Sequence, residues 1–342
     1  MAQKRTAPTP TNVLVTLFLV VLMVVMGVAA AAPASPARAA SRSPAVLAAV
    51  SETAKVTLPE TSIAGPGFTG AHIAWTGTDA THHVNFNTET DGLHFPTKVT
   101  LPETSPDSPA IVQVIDHGPS GPVVLAWTGT DANDSLNVQI IPGGRKLTLH
   151  ETSIAAPAID FISTPGQTPN TVLLAWTGTD ANDSLNVLPI TTSNPLIPGT
   201  KTVLSQFSSN AGPSLKGNVF FDRLVLGWST RGAQQLNLAE STDAVHFTSA
   251  LGSGLPQTSA TAPQFFNSSN PCIAWTGTDA VHHLNVQCTT QFPQFPNPAQ
   301  TKTVLPETAL GAPGFSMFSQ AEIAWTGTDA AHHLNVATLQ GV

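Results

Sequence analysis

The chain has 342 residues, 41% of them hydrophobic and 10% charged, so it can bury a core and is not a disordered tail. Its formal charge is −8, and the first forty residues carry Lys4, Arg5 and Arg38 with no acid, so the remainder is more acidic still. Such a chain lacks an electrostatic footprint for nucleic acid and is repelled by anionic lipid, which argues against both as partners.

The first element in chain order is a targeting segment. Lys4 and Arg5 precede an uncharged apolar run over residues 13–32, and Ala37-Arg38-Ala39 fits a small-x-small cleavage site. The run is also long enough to span a bilayer, which takes about 20 residues. Residues 1–40 are therefore expected to act as a cleaved signal peptide or, uncleaved, as a membrane anchor. Residues 41–53 read as a linker. Residues 54–342 are expected outside the cytoplasm, as a secreted domain or one held at the cell surface by that anchor.

Six tryptophans then mark a repeat. Trp75, Trp127, Trp176, Trp228, Trp275 and Trp325 are spaced by 52, 49, 52, 47 and 50 residues, and five of them sit in the phrase Ala-Trp-Thr-Gly-Thr-Asp. Nine to ten residues after each comes an asparagine between apolar neighbours: Asn85, Asn137, Asn186, Asn237, Asn285 and Asn335. A fixed period of this length signals a repeat architecture. Each repeat divides into four short β-rich runs bounded by Gly, Thr, Asp and Pro. In the second these are residues 110–115, 123–128, 136–140 and 146–150, here called strands A to D. Four strands per repeat make one propeller blade, so the expected fold is an all-β, six-bladed β-propeller.

The chain ends predict how the ring closes. The last repeat stops after strand C, while residues 55–62 near the start (Lys-Val-Thr-Leu-Pro-Glu-Thr-Ser) repeat residues 98–105 word for word. An N-terminal strand is expected to complete the last blade. The Leu-Pro-Glu-Thr-Ser phrase recurs internally with no apolar tail behind it, so it belongs to the fold and is not a wall-sorting signal.

Cys272 and Cys288 flank the fifth Trp-to-Asn stretch and lie equally far from its expected turn. An oxidising compartment favours a disulfide there, and two buried thiols are the alternative.

Two segments carry a family resemblance. Ser241-Thr-Asp243-Ala-Val-His-Phe247 and Glu89-Thr-Asp91-Gly-Leu-His-Phe95 are degenerate forms of Ser-x-Asp-x-Gly-x-x-aromatic. With the repeat, they make the chain resemble bacterial sialidase-like (Asp-box) β-propeller proteins, which place the box at a C–D turn. The resemblance implies the fold. Sialidase chemistry in that family needs a tyrosine nucleophile and an arginine cluster, and this chain has no tyrosine. Beyond the leader it has only Arg42, Arg145, Arg223 and Arg231. The family's catalytic residues are therefore not expected here.

Ordinary glycoside hydrolysis needs one pair of acids in one cleft. Here most acids recur blade by blade: Asp79, Asp131, Asp180, Asp279 and Asp329 in the B–C loops, and Glu60, Glu103, Glu151 and Glu307 in the Leu-x-Glu-Thr phrase. Recurrence points to structural turns or to several equivalent binding sites. In a propeller the D–A and B–C connections share a face, so the near-verbatim loops ring one side. That face, with a tryptophan in each blade, suits weak multivalent recognition of glycans or cell-surface polysaccharide. The candidate ligand-binding residues are Trp75, Asp79, Trp127, Asp131, Trp176, Asp180, Arg231, Trp275, Asp279, Trp325 and Asp329. Inter-blade packing is the other reading of the tryptophans.

Arg231 stands where other blades place an acid, and marks either a single anion pocket or drift in the fourth blade. The doublets His82-His83, His282-His283 and His332-His333 raise metal binding, but neighbouring side chains on a strand point apart and the loops are in different blades. No cofactor or metal is expected. The reading is a monomeric, non-catalytic carbohydrate-binding propeller, with a sialidase-like glycoside hydrolase or an extracellular protein-interaction scaffold as alternatives.

Overall fold

The computed structural model describes residues 49–90, 93–114, 121–162, 170–217, 223–250, 255–266, 271–289, 302–317 and 320–342. The leader and most of the linker, Asp91 of the first Asp-box segment, and residues 115–120 and 291–300 lie outside the described residues.

Six antiparallel sheets make six blades. The first strand, β1, is Ser51–Thr61. Blade 1 is β2 (Gly67–Thr69), β3 (His72–Thr76), β4 (His83–Thr88) and β5 (Val99–Thr104). Blade 2 is β6 (Ala110–Gln113), β7 (Val123–Thr128), β8 (Ser135–Ile141) and β9 (Leu147–Thr152). Blade 3 is β10 (Ala158–Phe161), β11 (Thr171–Thr177) and β12 (Ser184–Thr191), followed by β13 (Ile197–Pro198) and β14 (Thr202–Ser208). Its outer edge is shared, because β13 pairs one end of β12 and β14 the other.

Blade 4 is β15 (Ser214–Lys216), β16 (Leu224–Ser229), β17 (Leu236–Ser241) and β18 (Thr248–Ser249). Blade 5 is β19 (Gln264–Phe266), β20 (Cys272–Thr276), β21 (His283–Cys288) and β22 (Thr303–Thr308). Blade 6 is β23 (Gly314–Met317), β24 (Ala321–Thr326) and β25 (His333–Gln340), with β1 as its fourth strand. In that pairing Val56 lies opposite Val336 and Thr57 opposite Asn335. The A strands touch in a closed circle, β2–β6–β10–β15–β19–β23 and back to β2. This is the six-bladed propeller expected from the repeat.

Strand character follows position. The B strands β3, β7, β11, β16, β20 and β24 are buried on both faces, which is why they read as unbroken apolar runs without alternation. The D strands are edges. They alternate, and Pro59, Pro102 and Pro306 fall on them, where a missing N–H costs no ladder bond. A proline also precedes every A strand: Pro66, Pro109, Pro157, Pro213, Pro263 and Pro313. In blade 2 the D strand runs two residues past the expected end, because Thr152 still pairs Ser135 across a register shift.

Among the described residues the core divides into six clusters, one between each pair of neighbouring blades. Each cluster holds one tryptophan, packed against the preceding blade: Trp75 joins Leu334 and Val336 of blade 6, and Trp275 joins Leu236 and Leu238 of blade 4. A sheet stacked in a ring must bury both faces, and one large ring per seam fills the widening gap between twisted sheets. Cys272 and Cys288 are opposite each other on β20 and β21 and form a disulfide, with Cα atoms 3.9 Å apart.

Candidate functional site on the repeated face

The B–C loop is built around its aspartate. In blade 2 the Asp131 carboxylate accepts the backbone N–H of Asn133 at 3.0 Å and of Ser135 at 3.1 Å, and the Ser135 hydroxyl at 2.9 Å. Asp180 repeats this with Asn182 and Ser184. In blades 5, 6 and 1 the second histidine of each doublet replaces the serine: His283 Nδ1 lies 2.9 Å from Asp279, His333 Nδ1 2.8 Å from Asp329, and His83 Nδ1 2.8 Å from Asp79. The first residue of each doublet turns the chain with a left-handed backbone, φ 58° at His82 and 51° at Asp134.

The rest of the phrase is equally committed. Gly77 allows the loop to close, since a Cβ there would lie 2.8 Å from both Asn85 Nδ2 and Asp79 Oδ2. Asn85 donates to His83 O and accepts from Thr100 on the D strand, so the asparagine ties loop to edge. The hydroxyl residue after each tryptophan, threonine in five blades and Ser229 in blade 4, donates to the loop leading into the next blade, as Thr76 does to Asp107 O and Thr326 to Ala64 O, both at 2.6 Å. The second threonine meets the last threonine of the preceding blade's D strand: Thr61 with Thr78 and Thr104 with Thr130, both at 2.6 Å. Ser62 closes the same seam by donating to Thr76 O.

Hydrogen bonds hold the loop carboxylates below the usual range. For Asp79 the Thr81 hydroxyl contributes most, then His83; for Asp180 the Asn182 N–H contributes most. At Asp131, Asp279 and Asp329 desolvation pulls upward, and the bonds from the turn outweigh it.

The expected ligand-binding residues thus separate. The six tryptophans are at most 4% exposed, which corrects their expected place in a ligand site: their rings fill the seams and present no face to a sugar. Lys55, Lys98 and Lys201 cap Trp325, Trp75 and Trp176 at 5.1, 5.6 and 6.0 Å. Arg231 is not set in an anion pocket. It pairs with Asp183 at 3.1 Å and donates to Ala181 O, tying blade 4 to blade 3. The loop aspartates remain on the surface, with the Asp79, Asp279 and Asp329 side chains about 44 to 45% exposed. Among the described residues no three His, Cys, Asp or Glu side chains come together to hold a metal.

The repeated face opens on a cavity of about 340 Å³, lined by the A strands and D–A loops of all six blades. Its rim is made of small residues because neighbouring loops nearly touch: a Cβ on Gly65 would lie 2.0 Å from Ala312 O. Sequence reasoning did not find this cavity. The proline before each A strand was its signal.

The Asp-box segment of blade 4 is a C–D turn, as the resemblance implies. Asp243 accepts the N–H groups of Val245 and His246, Ser241 Oγ caps the turn, and Phe247 is buried between blades 3 and 4.

No family model and no curated protein matches this sequence. Solved structures do match its fold. A Dyadobacter fermentans protein of unknown function aligns with TM-score 0.57 and 12% identity over 85% of this chain and 99% of its own. The Aleuria aurantia lectin, a six-bladed β-propeller described with a fucose recognition mode, aligns with TM-score 0.54 and 9% identity over 83% and 96%. A subtype N11 neuraminidase-like protein of A/flat-faced bat/Peru/033/2010 gives TM-score 0.51 and 12% identity over 87% and 95%. The shared feature is the fold.

Proposed function

We propose that the chain is a secreted, non-catalytic carbohydrate-binding propeller whose glycan contacts lie along the inter-blade seams of the repeated face. One observation carries this: five seams present the same surface set, a threonine pair and a polar-bonded aspartate, around one cavity mouth. Hydroxyl-rich ligands need closely spaced donors and acceptors, and Asp–His, Asp–Ser and Thr–Thr pairs offer both. With every tryptophan buried, no indole stacks on the sugar, so each site is weak and affinity comes from several sites engaging one polymer. The fold shared with a fucose-binding lectin and a neuraminidase-like protein supports a glycan ligand. The regular recurrence of the loop acids favours binding over hydrolysis.

The test is a glycan array probed with the full chain, beside a chromogenic glycoside panel. Retention on a defined glycan class without hydrolysis is expected. Replacing His83, His283 and His333 together with alanine should weaken apparent affinity about tenfold or more, through lost avidity. Silence on the array overturns the reading, and turnover of a glycoside replaces it with the hydrolase.

A further inference from the structure

Glu322 lies on β24 of blade 6, and Glu89 immediately follows β4 of blade 1. Both break the repeat. Three residues before each other tryptophan stand His72, Val124, Leu173, Val225 and Cys272; four residues after each other repeat asparagine stand Ile141, Ile190, Ser241, Thr289 and Leu339. Two acids have thus entered positions where no other blade carries one. They belong to the seam where the chain ends meet, since β1 completes blade 6 directly before blade 1 begins.

Both side chains are sealed, Glu322 at 0% and Glu89 at 1% exposure. Glu89 Oε1 accepts the N–H of Leu93 at 2.7 Å. Glu89 Oε2 and both Glu322 oxygens have no donor among the described residues. The cross-strand neighbours of Glu322 are Ser316 and Thr338, and both hydroxyls are engaged elsewhere, with Gly70 O and Thr53. No described cation reaches the pair. His72 on blade 1 bonds Thr88 through Nδ1 and stacks on Phe86, which packs in the blade 1–blade 2 cluster. Lys55 on β1 is paired with Glu307 of blade 5, and Glu52 is coupled to those same two groups.

Glu322 lies opposite Ser316, whose hydroxyl donates to Gly70 O, and the Glu89 N–H donates to Ala71 O one residue on, so both acids sit at one point of the seam. Two carboxylates buried there cannot both ionise, because burial strips their hydration and no described cation offsets their repulsion. A single proton resolves this by making one group a donor to the other. A divalent cation is the other compensating charge. Calcium takes six to eight oxygen ligands, and no third acid joins the pair among the described residues. We propose that Glu322 and Glu89 share one proton and act as an acid-favouring clasp on the seam that closes the ring.

Burial first, and then the Glu89 charge, push Glu322 up to about 8 from 4.5. A group whose folded value is raised stabilises the fold fully below its unfolded value. That contribution falls as pH rises and is gone above about 8. Across this window the unfolded chain binds one proton fewer, so this pair makes the unfolding equilibrium constant rise about tenfold per pH unit.

The experiment is urea unfolding of the full chain from pH 5 to 9, for the natural sequence and for Glu322→Gln. The amide donates an N–H to Glu89 without titrating. The variant should lose this component of the slope and exceed the natural chain in stability at pH 8 to 9. If Glu322→Gln does not fold, Glu89→Gln, which presents an amide to Glu322 in the same way, should flatten the profile instead. Equal slopes in the natural chain and a folded variant overturn the proposal. So does a calcium-dependent rise in stability at pH 8 that Glu322→Gln abolishes, because the occupant would then be a cation.

Discussion

A carboxylate that gathers three or four hydrogen bonds inside one turn is worth more ionised than protonated, and five B–C loops depend on this. Their aspartates have lowered folded values, so the stability they supply is present above the unfolded value of 3.8 and is lost as pH falls through the lowered one. Asp131→Asn should therefore cost about 1 kcal/mol at pH 7, the net worth of the bonds it weakens, and less at pH 3, read by urea unfolding at each pH. Trp275→Ala should cost about 3–5 kcal/mol at either pH, because the penalty is a cavity in the seam between blades 4 and 5. The role of the aspartate was legible in its sequence, since Thr-Gly-Thr-Asp is turn chemistry. For the tryptophan, inter-blade packing and a ligand site both stood as readings, and the burial seen is the first of them. A strand covered on both faces shows no alternation, so nothing in Ile-Ala-Trp says which face is wet.

Between elements, the blades are joined by a belt of ion pairs on their outer strands. Lys98 reaches back to Glu60, Lys146 to Glu103, Lys201 to Glu151 and Lys55 to Glu307, each at 2.6 to 2.8 Å. Both residues recur within one strand phrase, yet each lysine pairs with the glutamate of the preceding blade. Only the closed ring brings them together, which is why the repeat alone did not reveal them. Where the preceding blade carries Gln206 or Gln257 instead, at the two seams flanking blade 4, the belt has no acid. Gln257→Glu should give Lys302 a partner and add up to about 1 kcal/mol, the ceiling for an exposed pair, visible as a small rise in melting temperature that salt removes. The Cys272–Cys288 disulfide staples the hairpin next to this weaker region and closes a loop of 16 residues. Its position opposite the turn could be counted from sequence. Reduction should cost about 3 kcal/mol, measured by melting with and without reductant.

For the whole molecule, closure rests on one strand from the far end of the chain, and the duplicated Lys-to-Ser phrase made this the most legible long-range contact. The phrase carries the same bonds in both copies: Thr57 and Thr100 each donate to a repeat asparagine, and Lys55 and Lys98 each reach the preceding blade. Removing residues 49–62 would strip blade 6 of its edge and break Lys55–Glu307, Lys98–Glu60, Thr61–Thr78 and Ser62–Thr76 at once. It would also expose the edge of β25 to water and to other chains. A ring has no intermediate degree of closure, so these losses fall on all six blades together. The truncated chain should melt on the order of 10 °C lower or more, and a synthetic peptide of residues 49–62 should restore part of the difference in a concentration-dependent way. An unchanged melting temperature would mean that the circle of A strands closes the ring without β1. The Glu89–Glu322 clasp would then share that seam with Thr326–Ala64, Ser316–Gly70 and the Trp75 cluster alone, and Glu322→Gln should act more strongly in the truncated chain than in the full one.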